Sequence, residues 1–349
     1  MTVGPVYDHQ AMPTLRRHDP GALFDTARAG DHAALARLLS LIERGGPTAR
    51  EVAALAYRSP SMAYTVGLTG SPGAGKSTLT DRLIGLAKSG LPGTGSGSTG
   101  QVGVLAIDPS SPFSGGAILG DRVRMQSAAL DDRVFIRSMA TRGQLGGLAV
   151  AVPDAVRVLS AVGFPVVLIE TVGVGQQEVE VASATDTTVV VVNPGWGDAI
   201  QANKAGLMEI GDVFVINKAD RAGTRETHRD LDQMLELTEL DGWRPPIVET
   251  VATTGDGVET AWSAIGDHRK YLIDHDRLAP LRCQRLEREL RQVLVARVEE
   301  RINSLQGSPD LQAVTGALAE GTLDPYAAAD RLLGIMTAHP SEPTAPAGR

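Results

Sequence analysis

Three short segments of the 349-residue chain carry residue types that can do chemistry on a nucleoside triphosphate. Gly70-Ser71-Pro72-Gly73-Ala74-Gly75-Lys76-Ser77, followed by Thr78, fits G-x-x-x-x-G-K-[ST] without a mismatch. An apolar run precedes it and a helical stretch follows, the setting in which such a loop cradles phosphate. Its glycines let successive N–H groups point at phosphate oxygens, and the helix opening near Lys76 adds its positive N-terminal end. Lys76 is expected to reach the β- and γ-phosphates, and the Ser77 hydroxyl to bind Mg²⁺.

The second segment is Asn217-Lys218-Ala219-Asp220, at the end of an apolar run. A carboxylate at Asp220 can accept from both N1–H and the exocyclic amine of guanine. Adenine lacks that donor pair and would leave the acid unpaired. Asn217 can donate to the base N7 and tie this loop to the phosphate loop, and the Lys218 stem can lie across the ring. The third segment, Val251-Ala252-Thr253-Thr254, is a weaker signal: a backbone N–H at Ala252 or Thr253 could meet the guanine O6. The expected ligand is GTP or GDP rather than ATP.

Mg²⁺ takes hard oxygen ligands near the phosphates. Ser77, Asp108, Asp121 and Glu170 could supply them, with Glu170 closing an apolar run just before a Gly-rich loop. Hydrolysis also needs a water positioner and charge neutralisation at the transferring phosphoryl group. Gln176 and Lys204 are candidates beside Lys76 and Glu170, as are Arg124 and Arg142. Each of these charges also reads as a surface or packing group, and each acid as a helix cap, so spacing alone leaves their roles open.

The elements that position these residues follow a regular alternation. Apolar, β-rich runs at Tyr64–Thr69, Val102–Ile107, Val134–Arg137, Val166–Glu170, Thr187–Asn193, Val213–Asn217 and Ile247–Val251 are separated by helical stretches. Several are apolar throughout, as expected of strands covered on both faces. The pattern predicts an α/β fold with a doubly wound, mostly parallel sheet. Ahead of it, Leu35, Leu38, Leu39 and Ile42 mark one helix face that Gly45-Gly46-Pro47 ends. Behind it, Leu286, Leu290, Leu294, Val298 and Ile302 recur every four residues on a charged helix. The domains expected are a helical N-terminal part at 1–60, a nucleotide-binding domain at 61–278, a helical arm at 279–338 and a disordered tail at 339–349.

Composition narrows the class. The chain is 42% hydrophobic and carries 33 basic against 41 acidic residues, a net charge of −8. The apolar share supports a full core. The acidic balance argues against broad nucleic-acid or anionic-membrane binding. No run approaches the roughly 18 apolar residues of a membrane span, and the first residues lack an apolar signal core, so a cytoplasmic protein is expected. The single cysteine, Cys283, excludes an intrachain disulfide and reads as an inert thiol in a helical pattern. The Gly/Ser-rich stretch Leu91–Gly100 reads as a surface loop.

Longer strings carry a more specific signal. GSPGAGKST (70–78), AIDPSSPFSGGAILGDRVRM (106–125), RSMATRGQLGGL (137–148), IETVGVGQQEVEV (169–181), NPGWGDAIQANKAGLMEI (193–210) and NKAD (217–220) together resemble the methylmalonyl-CoA-mutase-associated GTPases. This MeaB/ArgK family has a human relative in the methylmalonic aciduria type A protein. The resemblance covers roughly residues 30–305.

It implies a P-loop GTPase fold with a helical N-terminal extension and a C-terminal dimerisation arm, a homodimer, and slow intrinsic GTP hydrolysis. It also implies a partner, the adenosylcobalamin-dependent methylmalonyl-CoA mutase, whose cofactor loading such a protein gates and which it protects or reactivates. No cobalamin is expected to bind this chain directly. By resemblance, Ser77, Asp108, Asp121 and Glu170 form the Mg²⁺ shell. Asn193–Lys204 is an additional switch, in which Lys204 links partner binding to hydrolysis. The run at 92–100 is longer than the family's usual connection, and the match weakens beyond about 305. Three other readings stay open: a chaperone of a related acyl-CoA mutase, a nickel-enzyme metallochaperone lacking the usual His and Cys ligands, and a P-loop protein kinase linked to transport.

Overall fold

The computed structural model describes residues 19–60, 62–92, 100–109, 131–141, 147–171, 183–195, 209–238 and 240–338. Seven strands form one sheet: β1 (Tyr64–Gly70), β2 (Val102–Pro109), β3 (Val134–Thr141), β4 (Val166–Thr171), β5 (Thr187–Val192), β6 (Val213–Asn217) and β7 (Ile247–Thr250). Their order is β3-β2-β4-β1-β5-β6-β7, and every pairing is parallel. Each predicted apolar run is therefore a strand. β2 and β3 extend past their apolar runs because they stay paired from Val102↔Val134 to Pro109↔Thr141.

The helices are α1 (Pro20–Arg28), α2 (His32–Arg44), α3 (Gly46–Tyr57), α4 (Lys76–Ala87), α5 (Gly147–Val162), α6 (Thr224–Leu237), α7 (Val258–Asp274), α8 (Leu278–Ser304), α9 (Pro309–Ala319) and α10 (Pro325–Ala338). Local chemistry sets their ends. Asp31 caps α2 by accepting from the N–H groups of Ala33 and Ala34 at 2.7 and 3.1 Å, and Gly45, at φ 73°, stops it. Ser308 caps α9 through the Leu311 N–H.

Strand side chains alternate between two cores. Val167 and Ile169 join Leu35, Leu38, Leu39, Val52 and Leu159 on the face covered by α1–α3 and α5. Val166 and Leu168 join Val66, Leu68, Leu79, Leu83 and Ile265 on the face covered by α4 and α7. α6 closes the far half of the first face with Leu231 and Leu235 against Val190, Val192, Phe214 and Ile216. Both faces are thus buried, which explains why the strands read as continuous apolar runs.

The chain divides into two compact units, Met1–Leu286 and Glu287–Arg349, with α8 running through both. In the second, Val314 of α9 and Ala328 of α10 are buried, and Arg301 donates to the Met336 carbonyl at 3.4 Å. The apolar stripe of α8, with Leu290, Leu294, Val298 and Ile302, is exposed. Among the described residues no helix is long and apolar enough to cross a membrane.

At the start of the strands, Asp186 is buried and forms an ion-pair latch with α8. Arg282 donates to its carboxylate at 3.1 and 2.7 Å, and Arg285 adds a bond at 2.8 Å. Asp186 also accepts from the Thr65 N–H of β1 at 2.9 Å. Burial pushes this carboxyl up, but the hydrogen bond and charge of Arg282, the charge of Arg285 and the Thr65 amide outweigh it and hold it below the usual carboxylate range. Nearby, the Tyr64 and Thr187 hydroxyls bond at 2.6 Å, and Thr187 bonds His268 Nδ1 at 2.9 Å. Burial pushes that imidazole down to about 4, so it is neutral at pH 7.

Asp186→Ala should cost about 3–5 kcal/mol in a denaturant titration at pH 7, because two arginines lose a buried partner. The Asp186 contribution is present above the ordinary carboxylate pKa and is lost as pH falls through the lowered folded value. The gap between wild type and variant should therefore narrow only in strong acid. Equal midpoints at pH 7 would refute the latch.

Candidate nucleotide site

The site lies at the carboxyl ends of the strands, where β1 has β4 on one side and β5 on the other, and the chain's crossovers change direction. β1 ends at Gly70, whose φ of 124° and contact with the Val191 carbonyl leave no room for a side chain. The loop then turns into α4, which has no side-chain N-cap. Its positive end therefore opens onto the loop.

The carbonyls of this loop are held by donors from the loop itself and from the turn after β6. Lys76 Nζ donates to the Gly70 and Ser71 carbonyls at 2.7 and 3.0 Å, and Ser71 also accepts from the Ala74 N–H at 3.2 Å. Lys218 Nζ donates to the Gly73 carbonyl at 2.6 Å, and Asn217 Nδ2 to the Ala74 carbonyl at 2.7 Å. A trans peptide points its C=O and N–H to opposite sides. With the Ala74 carbonyl turned to Asn217, the Gly75 N–H faces the other way, onto the inner side of the loop. Gly75 has φ 91°, and a side chain there would run into the Asn217 carboxamide.

Asn217 is buried at the end of β6 and joins three segments. While its amide holds Ala74, its Oδ1 accepts from Thr250 Oγ1 at 3.1 Å and from the Ala252 N–H at 3.0 Å. Lys218 follows at φ 61°, a rare backbone for a residue with a Cβ, which turns its side chain back over the phosphate loop. Asp220 is exposed two residues on, in a turn closed by Arg221 N–H to the Lys218 carbonyl at 3.0 Å. Ala252 is buried and Thr253 exposed in the turn after β7.

At the loop mouth, Ser77 Oγ donates to Glu170 Oε1 at 2.6 Å. Glu170 is buried near the end of β4, level with Leu68 of β1 and Ala106 of β2. Asp108 stands two residues further along β2, in register with Ala140, and its side chain is outside the described part. Asp121, Arg124, Arg142, Gln176 and Lys204 lie outside the described residues, as do residues 196–204 of the switch expected at Asn193–Lys204. Thr78 lies in the first turn of α4, beside Ser77.

Sequence reasoning passed over two residues here. Thr250 anchors Asn217 from β7. Arg82 of α4 donates from Nε to the Ala252 carbonyl at 3.0 Å and from Nη2 to the Thr253 carbonyl at 2.6 Å. Neither belongs to a motif. Arg82 sits six residues past Lys76, and only the folded chain brings the turn after β7 to it.

The family model described as methylmalonyl Co-A mutase-associated GTPase MeaB matches residues 35–306. A candidate GTPase of Pyrococcus abyssi is 47% identical over 317 residues, covering 89% of this chain and 95% of that one. The mitochondrial methylmalonic aciduria type A homolog of Caenorhabditis briggsae is 33% identical over 281 residues, covering 73% of this chain and 65% of its own. Among solved structures, one titled LAO/AO transport system kinase superposes with a TM-score of 0.66 at 26% identity, covering 93% of this chain and 99% of that one.

Asn217→Ala removes all of the carboxamide's bonds at once. It should lower unfolding stability by about 2–3 kcal/mol and speed amide exchange at Ala74 and Ala252, while the core amides of β4 keep their protection. Unchanged exchange at both positions would show that the loops are held by other contacts.

Proposed function

Because the chain belongs to the methylmalonyl-CoA mutase-associated GTPase family, we propose that it is a GTP-hydrolysing chaperone of an adenosylcobalamin-dependent mutase, gating cofactor loading and protecting or reactivating the enzyme. The observation that carries the nucleotide half of this reading is the carboxamide of Asn217, which fastens an N-K-x-D turn to a phosphate loop. Methylmalonyl-CoA mutase is the partner the family description favours, and another acyl-CoA mutase is the nearest alternative.

In this reading the loop Gly70–Thr78 wraps the phosphates, and Lys76 leaves the carbonyls of Gly70 and Ser71 for the β- and γ-phosphate oxygens. The exposed Asp220 carboxylate pairs with the guanine N1–H and amine, the Lys218 stem covers the ring, and of the two candidate amides that of Thr253 meets O6, because Asn217 takes the Ala252 N–H. Ser77 and Glu170 offer hard oxygens 2.6 Å apart at the loop mouth, a donor set that suits Mg²⁺. Asp108 and Asp121 would complete the shell. The ion would supply charge neutralisation at the transferring phosphoryl group. Gln176 and Lys204 are proposed for positioning water and for coupling hydrolysis to the partner. Contacts from 108–125, 171–177 and 194–204 to the γ-phosphate would mark the GTP state and end on hydrolysis. The exposed stripe on α8 is proposed as a homodimer contact within a helical arm at 279–338, and the compartment as the cytoplasm.

Steady-state GTP hydrolysis with and without equimolar methylmalonyl-CoA mutase tests the partner. Stimulation of at least tenfold, abolished in Lys76→Ala, is expected on the scale by which partners accelerate such enzymes. Slow hydrolysis that no adenosylcobalamin mutase changes would remove the chaperone reading, and labelled γ-phosphate on a protein would favour a kinase.

Asp220→Asn tests base reading. It should shift preference from GTP to XTP by about tenfold or more, since the carboxamide donates where the xanthine O2 accepts. Undiminished GTP selectivity would refute the role of Asp220.

A further inference from the structure

In the guanine reading the turn after β7 presents an amide to the base edge at a fixed angle, yet its own sequence, Val251-Ala252-Thr253-Thr254, has no proline to fix a backbone angle. Two grips hold it. At its start, Asn217 Oδ1 takes the Ala252 N–H at 3.0 Å. On the far side, the guanidinium of Arg82 takes the next two carbonyls, those of Ala252 and Thr253, at 3.0 and 2.6 Å. A planar fork can hold two successive carbonyls, which an ammonium cannot do with the same fixed orientation.

Peptide planarity makes this directional. With the Ala252 carbonyl turned towards α4, the Thr253 N–H on the same peptide points away from α4. With the Thr253 carbonyl turned the same way, the Thr254 N–H points back and is taken by the Val251 carbonyl at 3.1 Å. Val251, Ala252, Thr254 and Gly255 all spend their N–H groups on protein acceptors. Arg82 therefore fixes the plane that carries the Thr253 N–H. The same helix begins with Lys76 and Ser77 and receives Arg82 roughly 9 Å further along its axis. One rigid rod thus carries both the phosphate end of the site and the brace of its base end.

We infer that Arg82 is a positioning residue for base recognition, which sets the angle at which the turn after β7 meets the guanine O6. The inference rests on the guanine reading proposed above and extends it to a residue outside the motifs. Arg82 touches no part of the base. Its removal changes how sharply O6 is read and leaves reading of the N2 amine, which falls to Asp220, as it was. The turn itself survives the change, because Asn217 and the Val251–Asp256 bridge still close it.

The test measures displacement of a fluorescent GDP by three competitors on the full-length wild type, Arg82→Ala and Arg82→Lys. GDP is the reference, 6-thio-GDP weakens the acceptor at position 6, and IDP lacks the N2 amine. The expected result is GDP release about tenfold faster in Arg82→Ala, the scale of lost charge-assisted hydrogen bonds. The preference for GDP over 6-thio-GDP should shrink by a similar factor, with the preference over IDP unchanged. Arg82→Lys should fall between. A purely structural role would lower all three affinities together and leave both ratios intact, and that result overturns the inference. So does a wild type that binds GDP and 6-thio-GDP equally. A wild type that binds no guanine nucleotide would remove the underlying reading and this one with it. That result is distinct from normal GDP binding to which Arg82→Ala is indifferent. Circular dichroism melting of each variant confirms the fold, and Arg82→Gln, which keeps a single donor nitrogen, serves if Arg82→Ala does not fold.

Discussion

The buried carboxamide of Asn217 is the contact on which the site depends. Its amide side faces the Ala74 carbonyl and its oxygen faces Thr250 and Ala252, so one side chain sets the spacing between the phosphate loop and both turns after β6 and β7. Aspartate has no N–H to offer Ala74, and glutamine adds a methylene where Gly75 already lies against the carboxamide. The glycine and the asparagine define each other. A larger residue at 75 would push the carboxamide off the loop, and a shorter one at 217 would leave the Ala74 carbonyl buried without its donor, a penalty of about 1–3 kcal/mol.

The sheet supplies the platform for this contact. β1 is buried along its full length between β4 and β5, so Gly70 is delivered to one place with little freedom. Glu170 arrives next to it through the register Leu68↔Glu170, and Ser77 meets it from the first turn of α4. At the other end of the same strands, Asp186 pairs with Arg282 and Arg285, and Thr65 of β1 donates to the acid. The strand bearing the phosphate loop is thus fastened at both ends by polar groups and along its middle by packing.

Much of this was legible in the sequence, for physical reasons. The phosphate loop and the N-K-x-D turn are each local in sequence: the residue types that mark them stand within a few positions of one another. Buried parallel strands announce themselves as uninterrupted apolar runs, and the break at Gly45-Gly46-Pro47 announces a helix end. What sequence did not disclose is long-range pairing by residues of common type. Arg82 looks like any helix-surface arginine until the turn at 252–253 is folded against it, and Asp186 looks like a loop acid until Arg282 and Arg285 arrive. The outer parts of β2 and β3 were also missed, because Ser138 and Thr141 take strand geometry from pairing with Ala106 and Pro109 rather than from their own hydrophobicity.

The position of β1 in the sheet has a consequence for biosynthesis. It is the first strand to leave the ribosome, yet its two neighbours follow only after β2, β3 and α5 have been made. The phosphate loop then waits for Asn217, and Thr65 for the acid at 186 and the arginines at 282 and 285. The nascent chain therefore carries an unpaired central strand, with open edges and apolar faces, until β4 and β5 have been made. Such a segment is the part of a growing polypeptide most exposed to wrong pairing. The contacts that anchor the phosphate loop are complete only once Asn217, Thr250 and Ala252 have followed it.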